Sequence, residues 1–292
     1  MARWLILICL LVCIVEARRH RSNVYNVRNY HPIADGKNDD TKAMGIAFVN
    51  NSNINGISSI NSQNAHITMY MCENITLTQL TITAPGHSPN TDGIKMARSQ
   101  GIYINNVHIA TGDDCVAMIT GTKNVNISNV YCGPGHGISV GSFGSNTDEF
   151  DIQDIHVKNC TFKDTSNALR IKTWASPLNH PLKASNIVYE DIIVIDVEHP
   201  INIDQEYCPS GNCGNKVPSG VKISNVRYRN IRGTCKGDVA VNFQCSESNP
   251  CQDISLENID LKRSTNSRQK LTNHCSNVKG AFSGPQFPPA CI

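Results

Sequence analysis

One pattern constrains this chain more than any other. Two apolar residues stand two apart, a polar bend follows, and a second such pair closes the unit. It reads Ile75-Leu77-Leu80-Ile82, Ile102-Ile104-Val107-Ile109, Val125-Ile127-Val130-Cys132 and Phe150-Ile152-Ile155-Val157. It continues as Ile187-Tyr189-Ile192-Val194, Val221-Ile223-Val226-Tyr228 and Ile254-Leu256-Ile259-Leu261, after a degenerate first copy at Ile54 and Ile57. Each pair alternates as a strand does and is too short for a helix. The residue between pairs is Asn106, Asn129, Asp154, Asp191, Asn225 or Asn258, types that tolerate the left-handed backbone of a tight bend. One unit cannot bury its apolar face alone, but a stack can, which is the logic of a solenoid. The expected fold is therefore all-β, a parallel β-helix. A propeller wants longer four-strand units and a leucine-rich repeat wants a leucine framework; neither fits as well.

A second class of strand follows the copies: Gly93–Met96, Cys115–Met118, Gly137–Val140, Leu169–Lys172, Ile201–Ile203 and Val239–Phe243. Stacked, these predict one parallel sheet with neighbours about 4.8 Å apart. Beside it, at a repeating phase, stand Asn90-Thr91-Asp92-Gly93, Gly112-Asp113-Asp114-Cys115, Gly135-His136-Gly137 and Arg170-Ile171-Lys172. Asp92 to Asp114 is 22 positions, and Asp114 to His136 another 22.

Composition agrees with strands and turns: of 292 residues only 17% are charged and 6% aromatic. A net charge of +2 calls for neither a nucleic acid nor a membrane surface, and a monomer is expected. The apolar run Trp4 to Val15 after Met1-Ala-Arg, ending in Val15-Glu16-Ala17, reads as a secretory signal over residues 1–17. It is too short to span a bilayer comfortably, so the expected destination is extracellular. Of 13 cysteines, Cys9 and Cys13 fall in that segment, leaving 11. Close spacing in an oxidising compartment nominates Cys115 with Cys132, Cys208 with Cys213, Cys245 with Cys251 and Cys275 with Cys291. Cys72, Cys160 and Cys235 are left as buried apolar residues. Zinc is disfavoured because paired C-x-x-C spacing is absent. Sequons stand at Asn50, Asn74, Asn126 and Asn159.

An aspartate in a turn is ordinary. Asp92, Asp113 and Asp114 converging on one face are harder to explain that way, because like charges repel and raise each other's proton affinity. Such crowding suits general acid–base chemistry, and carboxylates roughly 6.5–9.5 Å apart would predict glycoside hydrolysis with inversion. His136, between glycines one rung on, is placed to hydrogen-bond the acid or hold a proton. Arg170 and Lys172, two apart, share a strand face and could bind a substrate carboxylate. Tyr207 either packs on a sugar ring or anchors the loop before Cys208. A competing use of the acids is Ca²⁺ held by Asp92, Asp113 and Asp114, which with Arg170 as base would give a lyase.

The blocks Ser88-Pro89-Asn90-Thr91-Asp92-Gly93-Ile94, Thr111–Cys115, Cys132–Ser139 and Arg170–Trp174 together resemble the plant polygalacturonases of glycoside hydrolase family 28. The likeness runs from about Phe48 to Ile292, and Asp204–Cys213 is similar to the pollen-type, exo-acting branch. The resemblance implies a right-handed parallel β-helix that hydrolyses α-1,4-galacturonosyl bonds of pectin with inversion in the cell wall, without a metal or other cofactor. It implies Asp113 as general acid and Asp92 with Asp114 as activators of the water. His136 supports them, and Asn90, Arg170, Lys172 and Tyr207 bind substrate. Residues 18–44 then read as an N-terminal segment and remnant cap, and 45–292 as the catalytic β-helix. Asp35–Met44 resembles the family's opening and capping helix, yet Gly45–Asn50 continues directly into a later coil, so several coils are absent between them. A catalytically silent pectin-binding β-helix is the alternative this departure supports.

Overall fold

The computed structural model describes residues 23–24, 44–211, 217–264 and 270–292. The proposed signal (1–17) and capping helix lie outside the described residues, apart from Met44, which opens a strand. Cys213 is outside them too.

The strands wind as a right-handed parallel β-helix, the hand that parallel crossovers adopt. One sheet stacks nine short strands: Met44–Ala47, Ile67–Tyr70, Ile94–Ala97, Val116–Met118, Ile138–Phe143, Asn167–Trp174, His199–Tyr207, Val239–Gln244 and Thr272–Ser276. All six segments of the second strand class lie in it. The other sheet carries the repeat, from Asn50–Asn55 through Gln100–Ala110 and Lys183–Val197 to Val278–Phe287. Asn23–Val24 pairs with its first full strand, Asn23 opposite Ser52. No helix among the described residues is long and apolar enough to cross a membrane.

Side chains pointing inward from both sheets form one continuous core. Ile75, Ile102, Val125, Ile155, Ile187, Val226 and Ile254 stack at one position down the solenoid, all buried. Two repeat copies are out of phase with the sequence reading. Val125 pairs with Ile155 and Cys132 with Phe162, so the fourth unit is Ile155-Val157-Cys160-Phe162, and Phe150 is exposed. The sixth is Val226-Tyr228-Ile231-Gly233, since Ile187 pairs with Val226 and Val194 with Gly233. In both units an extra apolar pair precedes the repeat and imitates its first half.

The bends are left-handed as expected, and they form two rows rather than one. Asn106, Asn129, Asn159, Asp191, Asn230 and Asn258 occupy the bend inside the unit; Asn74, Asn124, Asp154, Asn186 and Asn225 occupy the bend before it. Amides bridge successive rungs, Asn159 Nδ2 donating to Asn129 Oδ1 at 2.6 Å and Asn225 Nδ2 to Asn186 Oδ1 at 2.9 Å. Disulfides join Cys115–Cys132, Cys245–Cys251 and Cys275–Cys291, while Cys72, Cys160 and Cys235 are free and buried.

Candidate active site

The stacking that builds the nine-stranded sheet also aligns the charges. Ile94, Val116 and Ile138 are partners across three successive rungs. Two positions earlier on the same rungs stand Asp92, Asp114 and His136, which is what their 22-residue spacing encodes. Gly93 must be glycine, because a Cβ there would lie 2.6 Å from both the Cys115 carbonyl oxygen and Ile109 Cγ2. Gly137, at φ +90°, gives His136 its approach, and a Cβ on it would meet the Asn167 carbonyl at 2.3 Å. Thr91, buried, accepts the Gly112 N–H at 2.9 Å and so ties the Asp92 turn to the turn carrying Asp113 and Asp114.

Each carboxylate has its own cationic partner. Lys95 Nζ lies 3.3 Å from Asp92 Oδ2, His136 Nδ1 3.0 Å from Asp113 Oδ1, and Lys172 Nζ 2.7 Å from Asp114 Oδ2. Ser139 donates its hydroxyl to Asp114 Oδ1 at 2.7 Å, and the Asp114 N–H donates to Asp113 Oδ1 at 2.7 Å. Asp92, Asp114 and Lys172 are buried, whereas Asp113 and His136 are half-buried. The carboxylates line one cleft of about 200 Å³, together with Asn90, Lys95, Lys172 and Tyr207.

The three acids are not equivalent. Burial first, then the negative charges of Asp114 and Asp113, push Asp92 up to about 6 despite Lys95. Burial works upward on Asp113 as well, but the hydrogen bond and charge of His136 outweigh it and hold that carboxyl down at about 2. The same hydrogen bond raises His136, against burial, so the imidazole favours its protonated form. Asp92 therefore rises chiefly because it is buried, with the neighbouring carboxylates adding to the effect.

At the other end of the cleft the Arg170 guanidinium stands 5.1 Å from the Tyr207 ring centre, and Lys172 Nζ 5.3 Å from it. Trp174 packs edge-on against the same ring at 5.1 Å. Arg170 Nε is buried and has no hydrogen-bond partner among the described residues. The other face of His136 lines a second groove, of about 480 Å³, shared with Asp164, Glu198 and Lys236.

Every site residue named from the sequence is in or beside this cleft. Lys95 and Ser139 were missed as site residues. Both lie on the second strand class, and Lys95 shares a row with Ala117, Ser139 and Arg170. That row was the available signal. A divalent ion has less to recommend it than the bare acids suggested. Asp113, Asp114 and His136 bring ligand atoms within 4.8 Å of one another, but two of these carboxylates already hold His136 and Lys172.

A parallel β-helix carrying clustered carboxylates and cations along one sheet is the fold and site to compare with known proteins. Residues 25–284 match Glycosyl hydrolases family 28, and the chain belongs to that family. It is 44% identical over 241 residues to an exopolygalacturonase of Platanus acerifolia, covering 82% of this chain and 63% of that one. Identity to a polygalacturonase of Gossypium hirsutum is 46% over 244 residues, 84% of this chain and 59% of that one. Among solved structures, a polygalacturonase of Erwinia carotovora superposes with a TM-score of 0.68 at 25% identity, over 81% of this chain and 59% of that one. An endo-xylogalacturonan hydrolase of Aspergillus tubingensis shares the fold at a TM-score of 0.68 and 23% identity, over 82% of this chain and 68% of that one. The chain spans about three fifths of the length of these curated relatives.

Proposed function

We propose that this protein is a secreted polygalacturonase that hydrolyses α-1,4-galacturonosyl bonds of pectin in the cell wall with inversion at the anomeric carbon. The observation that carries the reading is the cleft itself: three carboxylates, each held by its own cation, facing Tyr207 and the unpartnered Arg170 Nε. The names of the family relatives point the same way. The disulfides among the described residues suit an oxidising compartment.

Asp92 and Asp114 lie side by side on adjacent rungs and together take the proton of a water that attacks C1. Asp113 gives its proton to the glycosidic oxygen as the bond to C1 breaks, on the opposite face of the sugar. Both hydrogen bonds to the Asp113 carboxylate fall on Oδ1, so Oδ2 is the oxygen assigned to the leaving group. His136 holds that carboxyl near 2 in the free protein and is itself the protonated partner, so the proton that Asp113 passes to the leaving oxygen comes from the imidazolium across their hydrogen bond. His136 keeps a proton beside that acid and reaches solvent through the second groove. Arg170, with Tyr207 and Lys172, receives a uronate carboxylate and ring. No step requires a metal.

Purified protein incubated with de-esterified polygalacturonate should release reducing ends without products absorbing in the ultraviolet. Asp113→Asn should lower that rate by orders of magnitude while circular dichroism stays unchanged. Binding of the polymer without release of reducing ends would instead support the catalytically silent reading. Calcium-dependent ultraviolet-absorbing products would mean a lyase.

A further inference from the structure

We infer that Lys95 is a second uronate-binding cation of this cleft, at the end opposite Arg170, and that it makes a free carboxylate on that side of the scissile bond a condition of tight binding. The inference rests on the proposed reaction and adds a determinant of its substrate class.

The two lysines of the site differ in what they are free to do. Lys172 is 7% exposed and bonded at 2.7 Å to an Asp114 carboxylate that is itself 3% exposed, so it meets a uronate without leaving Asp114 and has little freedom to turn. Lys95 is 38% exposed, lines the cleft, and makes the longest of the three ion pairs, 3.3 Å to Asp92. An ammonium has three protons to donate, and Asp92 takes one. The side chain can therefore turn to an incoming anion without unfolding anything.

Its position fixes which anion it meets. Lys95, Ala117, Ser139 and Arg170 occupy one row on four successive rungs. Three steps of about 4.8 Å place the backbones of Lys95 and Arg170 about 14 Å apart. Between them Ala117 and Ser139 are small and leave the floor low, and the carboxylates stand alongside. A polyuronate lying across the acids thus meets Arg170 beyond the bond to be cut and Lys95 before it. A methyl ester on the Lys95 side offers no charge to that ammonium.

Binding at Lys95 also changes the base. The charged groups facing Asp92 are Lys95 on its own strand and Asp113 and Asp114 on the next rung, with Lys172 behind them; on the rung before, His66 bonds the Asp92 carbonyl through its backbone N–H and turns its ring to Ser59. Lys95 is the cation in direct contact with Asp92. When it turns to substrate, Asp92 holds a proton more tightly and becomes the stronger base.

The test compares wild type, Lys95→Gln and Lys95→Arg on de-esterified polygalacturonate and on highly methyl-esterified pectin. For Lys95→Gln, KM on the de-esterified polymer should rise about tenfold, the size of one charge-assisted contact. KM on the esterified polymer should change little, so the preference collapses by a similar factor. The ascending limb of the pH–rate profile should move to higher pH. Lys95→Arg should restore both. Equal losses on the two polymers, or no loss, overturn the inference. Should wild type release no reducing ends from either polymer, the hydrolase reading fails by itself. Retardation in gels containing each polymer then decides Lys95: retardation by the de-esterified polymer that Lys95→Gln loses supports it, and equal retardation overturns it.

Discussion

The proposed reaction uses Asp92 as a base, and the fold is less stable for holding it ionised. The carboxyl is 4% exposed and its proton affinity is pushed from 3.8 to about 6. A difference of about 2.2 units at about 1.36 kcal/mol each puts the cost of ionising it in the fold near 3 kcal/mol. Because the folded value is raised, the group's contribution to stability is complete below 3.8, is lost as pH climbs through 6, and stays lost above. Asp92→Asn removes that loss. It also strands Lys95, but that side chain is 38% exposed and can return to water, so a net gain of about 1–3 kcal/mol remains at pH 7.5. In a chain of this size that is about 5 °C in Tm. Denaturation curves of wild type and variant at pH 3.5 and pH 7.5 measure the difference. The curves should coincide in acid, with the variant more stable at pH 7.5, while hydrolysis of polygalacturonate is lost. An Asp92→Asn protein no more stable than wild type at pH 7.5 would refute the reasoning.

Lys172→Met should be costly in the opposite sense. It leaves the Asp114 carboxylate, 2% exposed, with Ser139 as its remaining side-chain partner, and a loss of about 3 kcal/mol is expected in urea denaturation. Combining it with Asp114→Leu should recover much of that loss; no recovery would mean the two act separately. His66, 1% exposed with Nδ1 2.8 Å from Ser59 Oγ, is held down to about 4 by burial. It is neutral in the fold, so its contribution is full above about 6.5 and is lost as pH falls toward 4, up to about 3 kcal/mol. His66→Gln should flatten stability between those pH values, and an unchanged slope would exclude His66 as its source.

Much of the fold was legible because a solenoid writes its period into the sequence. Paired apolar residues with Asn between them admit few other structures, and a 22-residue interval between Asp92, Asp114 and His136 becomes a stack once the rungs exist. What escaped was local. Phe150 and Val221 copy the first half of a repeat, and only strand register shows that the unit begins five residues later in each case. Lys95 escaped because a lysine three residues after an aspartate is common; its meaning comes from sharing a row with Ser139 and Arg170. The ranking of the acids escaped for another reason. Crowding predicts that some carboxyl rises, but which one depends on burial at Asp92 and on a histidine bond at Asp113.

The backbone bonds that seat Asp92 against Asp114 also act as a graduated scale. Because the Gly93 N–H reaches the Asp114 carbonyl at 2.9 Å, charges along the axis are separated by whole graduations of about 4.8 Å. No side-chain substitution stretches that interval. A charge can be reassigned to another mark, as Ala117→Lys would do to the cation of Lys95, but it cannot be slid between marks. A polymer of identical units laid on such a scale is measured in discrete steps, and its specificity should change by jumps rather than by degrees.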